Sequence, residues 1–134
     1  MDAAEAAQMS RQHIFVVNGS PDFLDMVREL LQGEHYNVTT TNFVPNTFDQ
    51  IAALGPELLI IDLVVGLRAG PELVTRLAGA AATQRIPIIL VSTTWHLLDE
   101  AEGIAPEGSE YRYLVKPFDI DDLLRTVDEL IGPA

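Results

Sequence analysis

Three polar side chains stand where strand-like stretches stop. Asp62 closes the run Leu58-Leu59-Ile60-Ile61, Ser92 closes Ile88-Ile89-Leu90-Val91, and Lys116 follows the alternating stretch from Tyr111 to Val115. Brought to one crevice, they would supply a nucleophilic or metal-binding carboxylate, a hydroxyl donor and a counter-charge. That set suits chemistry driven by positioning and charge stabilisation. Each residue also has a plain explanation: aspartate often ends a strand or opens a turn, a strand-end lysine is usually solvated, and tyrosines such as Tyr113 more often pack than act. His13, His35 and His96 lack the spacing of metal ligands, and the absence of cysteine removes thiolate sites, cysteine nucleophiles and disulfides. The case for chemistry therefore depends on whether the fold gathers Asp62, Ser92 and Lys116.

The elements that would gather them are legible as hydrophobic patterns. Ile14-Phe15-Val16-Val17, Leu58 to Ile61 and Ile88 to Val91 are continuous apolar runs, as parallel strands buried on both faces require. Tyr36 to Thr41 and Tyr111 to Lys116 are half polar, as sheet edges are. Between them lie helix signals. Ser20-Pro21-Asp22 reads as an N-cap, a proline in the first turn and an acid at the dipole's positive end, followed by Phe23, Met26, Val27, Leu30 and Leu31 at helical spacing, with Gly33 as a stop. Asn46-Thr47 caps a short helix through Leu54, and Gly55-Pro56 breaks the chain. Pro71-Glu72 opens a helix with Leu73, Leu77 and Ala80-Ala81 inward. A weaker helix runs from about Trp95 to Glu102, with Trp95 as its aromatic anchor and Asp99, Glu100 and Glu102 solvated. Asp119 caps a last helix whose stripe is Ile120, Leu123, Leu124, Val127, Leu130 and Ile131.

Five strands alternating with five helices predict a parallel sheet covered on both faces, because strand-helix-strand crossovers are right-handed. The fold class is α/β, flavodoxin-like and doubly wound. The strand order 2-1-3-4-5 puts the two polar strands at the edges and the switch point beside Asn18-Gly19 and Asp62.

The 134 residues suffice for one such domain and leave no room for a second. Residues 1–12 read as a loose leader and 13–132 as the domain. A formal net charge of −12 with no basic patch argues against nucleic-acid binding, which needs clustered Lys and Arg. No apolar run approaches the ~20 residues of a membrane span and no signal peptide is present, so no membrane partner is expected and a cytoplasmic location is the default.

The chain from His13 to Ile131 resembles the receiver domain of two-component response regulators, the CheY-like family. Strand-end Asp62, Ser92 after its apolar strand, Gly70 after the Asp62 loop, and Tyr113-Leu114-Val115-Lys116-Pro117-Phe118 carry the resemblance. It implies that Asp62 accepts a phosphoryl group from a histidine kinase or phosphotransfer protein. It also implies that Lys116 pairs with acceptor or phosphoryl oxygens, that Ser92 hydrogen-bonds the phosphoryl group, that Tyr113 changes rotamer when Ser92 moves, and that the Lys116-Pro117 peptide is cis. Phosphoryl transfer needs such a set, together with a divalent cation, around the developing charge.

The sequence departs from the family at the cation. The resemblance places Asn18 and Gly19 where the family carries the acid pair that holds Mg²⁺. Asp62, the Val64 backbone carbonyl and a water on Asn18 would form a weak or absent Mg²⁺ site, with Asp22 the only nearby substitute. Gly66 replaces a usual proline, and Thr93 stands where a small residue leaves room for the phosphoryl group. The leading expectation is a single-domain receiver, with no output domain after Pro133-Ala134, that works through a downstream protein target. The fourth helix, fifth strand and fifth helix are the implied docking face, for a target or for a homodimer. Two alternatives stay open: a conventional Mg²⁺-dependent receiver, and a flavodoxin-like flavin or nucleotide binder. Against the latter, Asn18-Gly19-Ser20-Pro21 lacks the Gly- or Ser/Thr-rich character of a phosphate cradle.

Overall fold

The computed structural model describes residues 12–133, so most of the expected leader lies outside the described residues. Five strands form one parallel sheet in the order β2-β1-β3-β4-β5: β1 (His13–Val17), β2 (Asn37–Thr41), β3 (Leu58–Asp62), β4 (Ile88–Ser92) and β5 (Tyr111–Val115). This is the expected doubly wound, flavodoxin-like order. The helices are α1 (Pro21–Gly33), α2 (Thr47–Leu54), α3 (Ala69–Gly79), α4 (Trp95–Ile104) and α5 (Ile120–Ile131).

The continuous apolar runs are explained by two cores, one on each face. Phe15, Val17, Leu59, Ile61, Ile88 and Leu90 point to the layer covered by α2, α3 and α4. Their neighbours Ile14, Val16, Leu58, Ile60, Ile89 and Val91 point to the layer covered by α1 and α5. Side chains alternate between faces, so a strand buried on both must be apolar at every position. The edge strand β2 is half-buried throughout, which its threonines tolerate. Register then fixes the strand ends: Asp62 stands opposite Val91, and Ser92 opposite Val115. The carboxyl ends of β3, β4 and β5 are thereby level.

Several local expectations are corrected. On α1 the buried face is Leu24, Val27 and Leu31, while Met26 is exposed. Helix α3 begins at Ala69, one turn's start before Pro71, and has ended by Ala80, whose extended backbone leaves Ala81 exposed; Val74 fills the inner face instead. Trp95 does not anchor α4. It is 66% exposed, and Leu98 and Ala101 are the buried residues. On α5 Leu123, Thr126 and Val127 are buried, Leu124 is half-buried and Ile120 is exposed. Asn46 and Asp119 occupy cap positions without a side-chain cap bond. Gln12 is tied to the domain: its side chain donates to the carbonyls of Ile131 and Pro133, and its own carbonyl accepts from Asn37 N–H.

Candidate functional site

The site sits at the carboxyl ends of β1, β3, β4 and β5, in the crevice where an open α/β sheet places its ligands. After β1 the chain turns through Asn18, at φ +70°, and Gly19, at φ +139°. Asparagine tolerates the left-handed region better than most residues, and at Gly19 only glycine does so without strain. The Asn18 N–H donates to the Thr41 carbonyl, and its side-chain amide donates to the Asp62 backbone carbonyl at 3.1 Å, which binds the β1 and β3 ends together. Ser20 then caps α1, its hydroxyl accepting from Phe23 N–H at 3.1 Å.

Asp62, 5% exposed, is the last residue of β3. Its Oδ2 accepts a hydrogen bond from Lys116 Nζ at 2.7 Å, the distance of a charge-assisted bond. Lys116 is half-buried, and its position follows from β5: its N–H donates to the Ser92 carbonyl, continuing the ladder one residue past the strand. The Lys116-Pro117 peptide is cis, as the resemblance implied. The ammonium also lies over the Phe23 ring, 4.2 Å from its centroid.

Ser92 is fully buried. Its hydroxyl donates to the Leu63 carbonyl at 2.8 Å and accepts from Thr94 N–H at 3.1 Å, so it serves the loop backbone rather than the Asp62 carboxylate. Tyr113 lies opposite Leu90 and packs against the core layer under α4. Burial, then the charge of Glu102, push its phenol above the ordinary value, with Arg112 opposing. The Val64 carbonyl accepts from Leu67 N–H in the loop after β3, and Gly66 takes φ +83° there. Thr93 is exposed and lines a groove with Phe23, Met26, Lys116 and Phe118. Asp22 is exposed in the first turn of α1. His13 and His96 are engaged elsewhere, with Thr39 Oγ1 and Glu100.

The Asp62 carboxylate is paired with Lys116, and Asn18 and Gly19 carry no carboxylate of their own. Among the described residues no group of three His, Cys, Asp or Glu side chains is placed to hold a metal ion. Mg²⁺ gives up water reluctantly and is held through one or two carboxylates plus phosphate oxygens.

The geometry has counterparts among known proteins. The family model of the response regulator receiver domain matches residues 14–128. The chain belongs to that family. Receiver domains are signalling modules that interact with histidine kinases or phosphotransfer proteins, and they typically bind Mg²⁺. Among curated relatives, the phosphate regulon transcriptional regulatory protein PhoB of Rhizobium meliloti is 27% identical over 121 residues, covering 90% of this chain and 52% of that protein. An uncharacterised 14.6 kDa protein of Leptolyngbya boryana is 28% identical, covering 90% of this chain and 91% of the other. The chain spans about half the length of the first relatives it matches. Among solved structures, Vibrio cholerae chemotaxis protein CheY4 superposes with a TM-score of 0.75 at 22% identity, over 91% of this chain and 100% of that one. A response regulator from Chloroflexus aurantiacus gives 0.76 at 22% identity, over 90% and 98%. Those two likenesses concern the fold.

Sequence reading missed one residue at the receiver's crevice, Phe23. The spacing puts it on the inner stripe of α1; its ring packs against the core layer there and also reaches the space beside Gly19 and under Lys116. The available signal was Gly19 itself, a residue without a side chain four positions before an aromatic, at the start of a capped helix. No helix among the described residues is long and apolar enough to cross a membrane.

Proposed function

We propose that this receiver takes a phosphoryl group on Asp62 from a histidine kinase or phosphotransfer protein, through a crevice whose Mg²⁺ site is degenerate, and passes the signal on by binding a downstream protein. The observation that carries this reading is the 2.7 Å bond from Lys116 Nζ to Asp62 Oδ2. It supports a strand-end carboxylate positioned against a cation. In the transfer, an Asp62 carboxylate oxygen attacks phosphorus as the bond from phosphorus to the donor's imidazole nitrogen breaks. The imidazole leaves with the electron pair, and the new acyl phosphate stays on Asp62. Lys116 then balances charge on the phosphoryl oxygens, a role that electrostatics makes large in a partly dry site. Ser92 hydrogen-bonds the phosphoryl group after releasing the Leu63 carbonyl, and Tyr113 follows that shift.

Asn18 and Gly19 supply no carboxylate, so Asp62, the Val64 carbonyl and Asn18 hold Mg²⁺ weakly or not at all. Trp95 and Ile104 of α4, Val115 of β5 and Ile120 of α5 are exposed and apolar, between 41% and 66% accessible. These side chains favour a protein as the downstream target.

The test is phosphorylation by a small-molecule phosphodonor such as acetyl phosphate, with and without Mg²⁺, in native protein and in Asp62→Asn. The expected result is slow uptake that Mg²⁺ changes little and that Asp62→Asn abolishes. Rapid Mg²⁺-dependent uptake would overturn the degenerate site and leave a conventional receiver. Uptake that survives Asp62→Asn would overturn Asp62 as the acceptor.

A further inference from the structure

We infer that Phe23 is a positioning residue of this crevice: its ring closes the space beside Gly19 that a side-chain ligand would need, and holds the Lys116 ammonium on Asp62. Four distances carry the inference. A Cβ built on Gly19 would lie 2.5 Å from Phe23 Cδ1, closer than real Cβ atoms approach, and 3.3 Å from Cε1, a tight contact. Lys116 Nζ stands 4.2 Å from the centre of the same ring, and the same nitrogen donates to Asp62 Oδ2 at 2.7 Å. A ring face attracts an ammonium within ~6 Å through its quadrupole, and more strongly where water is excluded. The cation is thus held between a carboxylate and an aromatic face.

Two contacts favour this placement of the ring. Ser20 fixes the Phe23 backbone by the cap bond at 3.1 Å, and the ring packs against the core layer under α1 and α5. Core packing alone does not account for the placement, because the deeply buried residue of this turn is Leu24, while Phe23 is half-buried and lines the open groove with Thr93 and Lys116. The backbone at Gly19 adds a second barrier, since φ +139° strains any other residue. Restoring an acid at position 19 is therefore insufficient while Phe23 remains. This deepens the proposed degenerate Mg²⁺ site and rests on it.

Two measurements on the full chain test the idea. The first is NMR of the Lys116 side chain. Protons beside a ring face carry a ring-current shift, so the Lys116 Hε resonances should move downfield in Phe23→Leu and return in Phe23→Tyr. Unchanged resonances in Phe23→Leu would overturn the placement, whatever the phosphorylation behaviour of the native protein. The second is calorimetry with Mg²⁺ alone on Gly19→Asp and on Gly19→Asp with Phe23→Ala. The double variant should bind at least tenfold more tightly than the single one. Equal heats in the two, strong or null, would overturn the claim that Phe23 bars the position. If a Gly19 variant does not fold, the NMR comparison decides alone. Failure of the proposed function is seen separately, as fast Mg²⁺-dependent phosphorylation of the native chain.

Discussion

Lys116 Nζ and Asp62 Oδ2 lie 2.7 Å apart across 54 residues of sequence, and β4 separates the strands that carry them. The carboxylate side chain is 6% exposed and the lysine 24%, so the pair is partly desolvated and each charge depends on the other. Removing one partner leaves the other poorly solvated, which costs more than removing both. Lys116→Met should lower stability by ~1.5–3 kcal/mol, the range for a hydrogen bond to a charged group. Lys116→Met combined with Asp62→Asn should recover at least half of the loss. Denaturant unfolding of the four proteins in the cycle measures it, and strictly additive losses would show that the two side chains do not interact.

Leu123, 1% exposed, faces the core layer shared with Val27, Ile60 and Val91. Leu123→Ala should cost ~2–5 kcal/mol, the transfer of the lost methyls plus the cavity they leave. Leu124 is only half-buried, and Leu124→Ala should cost less than about half as much. The periodicity of α5 placed both leucines mid-stripe and did not rank them. A reversed order in urea unfolding would mean that α5 is rotated about its axis.

What was legible in the sequence was whatever periodicity and strand ends encode. Asp62, Ser92 and Lys116 reach one sheet edge because three strands end in register, and the apolar runs that announce those strands are dictated by burial on both faces. What was not legible depended on contacts between elements. The placement of Phe23 beside Gly19 and under Lys116 depends on a contact between elements far apart in sequence, which spacing does not reveal. Gly70, in the first turn of α3, has no room for a Cβ, which would lie 2.7 Å from the Leu63 side chain, a close approach between elements that the sequence does not show. Trp95 reads as an anchor by type, yet it is 66% exposed, and the buried face of α4 runs through Leu98 and Ala101 instead.

Tyr111 is 6% exposed, and its hydroxyl is buried without a hydrogen-bond partner among the described residues. Such a hydroxyl costs ~1–3 kcal/mol, so Tyr111→Phe should raise stability by about 1 kcal/mol. Burial first, then Tyr113, push its phenol from the ordinary 10.0 up to about 12. The folded chain therefore keeps this proton to higher pH than the unfolded chain. The associated stability is intact below pH about 10 and is lost as pH rises toward 12, by up to ~1.4 kcal/mol per pH unit. Urea unfolding between pH 9 and 12 should show native protein losing stability faster than Tyr111→Phe. Parallel curves would mean that the hydroxyl is solvated.

Ser92 joins the loop after β3 to the loop after β4, donating to the Leu63 carbonyl and accepting from Thr94 N–H. Leu63 is buried and Thr94 half-buried, and among the described residues neither group has another hydrogen-bond partner. Ser92→Ala should therefore cost ~1–3 kcal/mol in the unphosphorylated protein, as two backbone groups lose their partner. Amide exchange at Thr94 should quicken at the same time, whereas exchange at Leu63, whose N–H donates to the Val91 carbonyl, should hold. The contrast bears on the proposed function, in which Ser92 turns toward a phosphoryl group on Asp62 by giving up the Leu63 carbonyl. A loss below about 0.5 kcal/mol, with Thr94 exchange unchanged, would show that these bonds are not maintained in solution and that the serine is already free to turn.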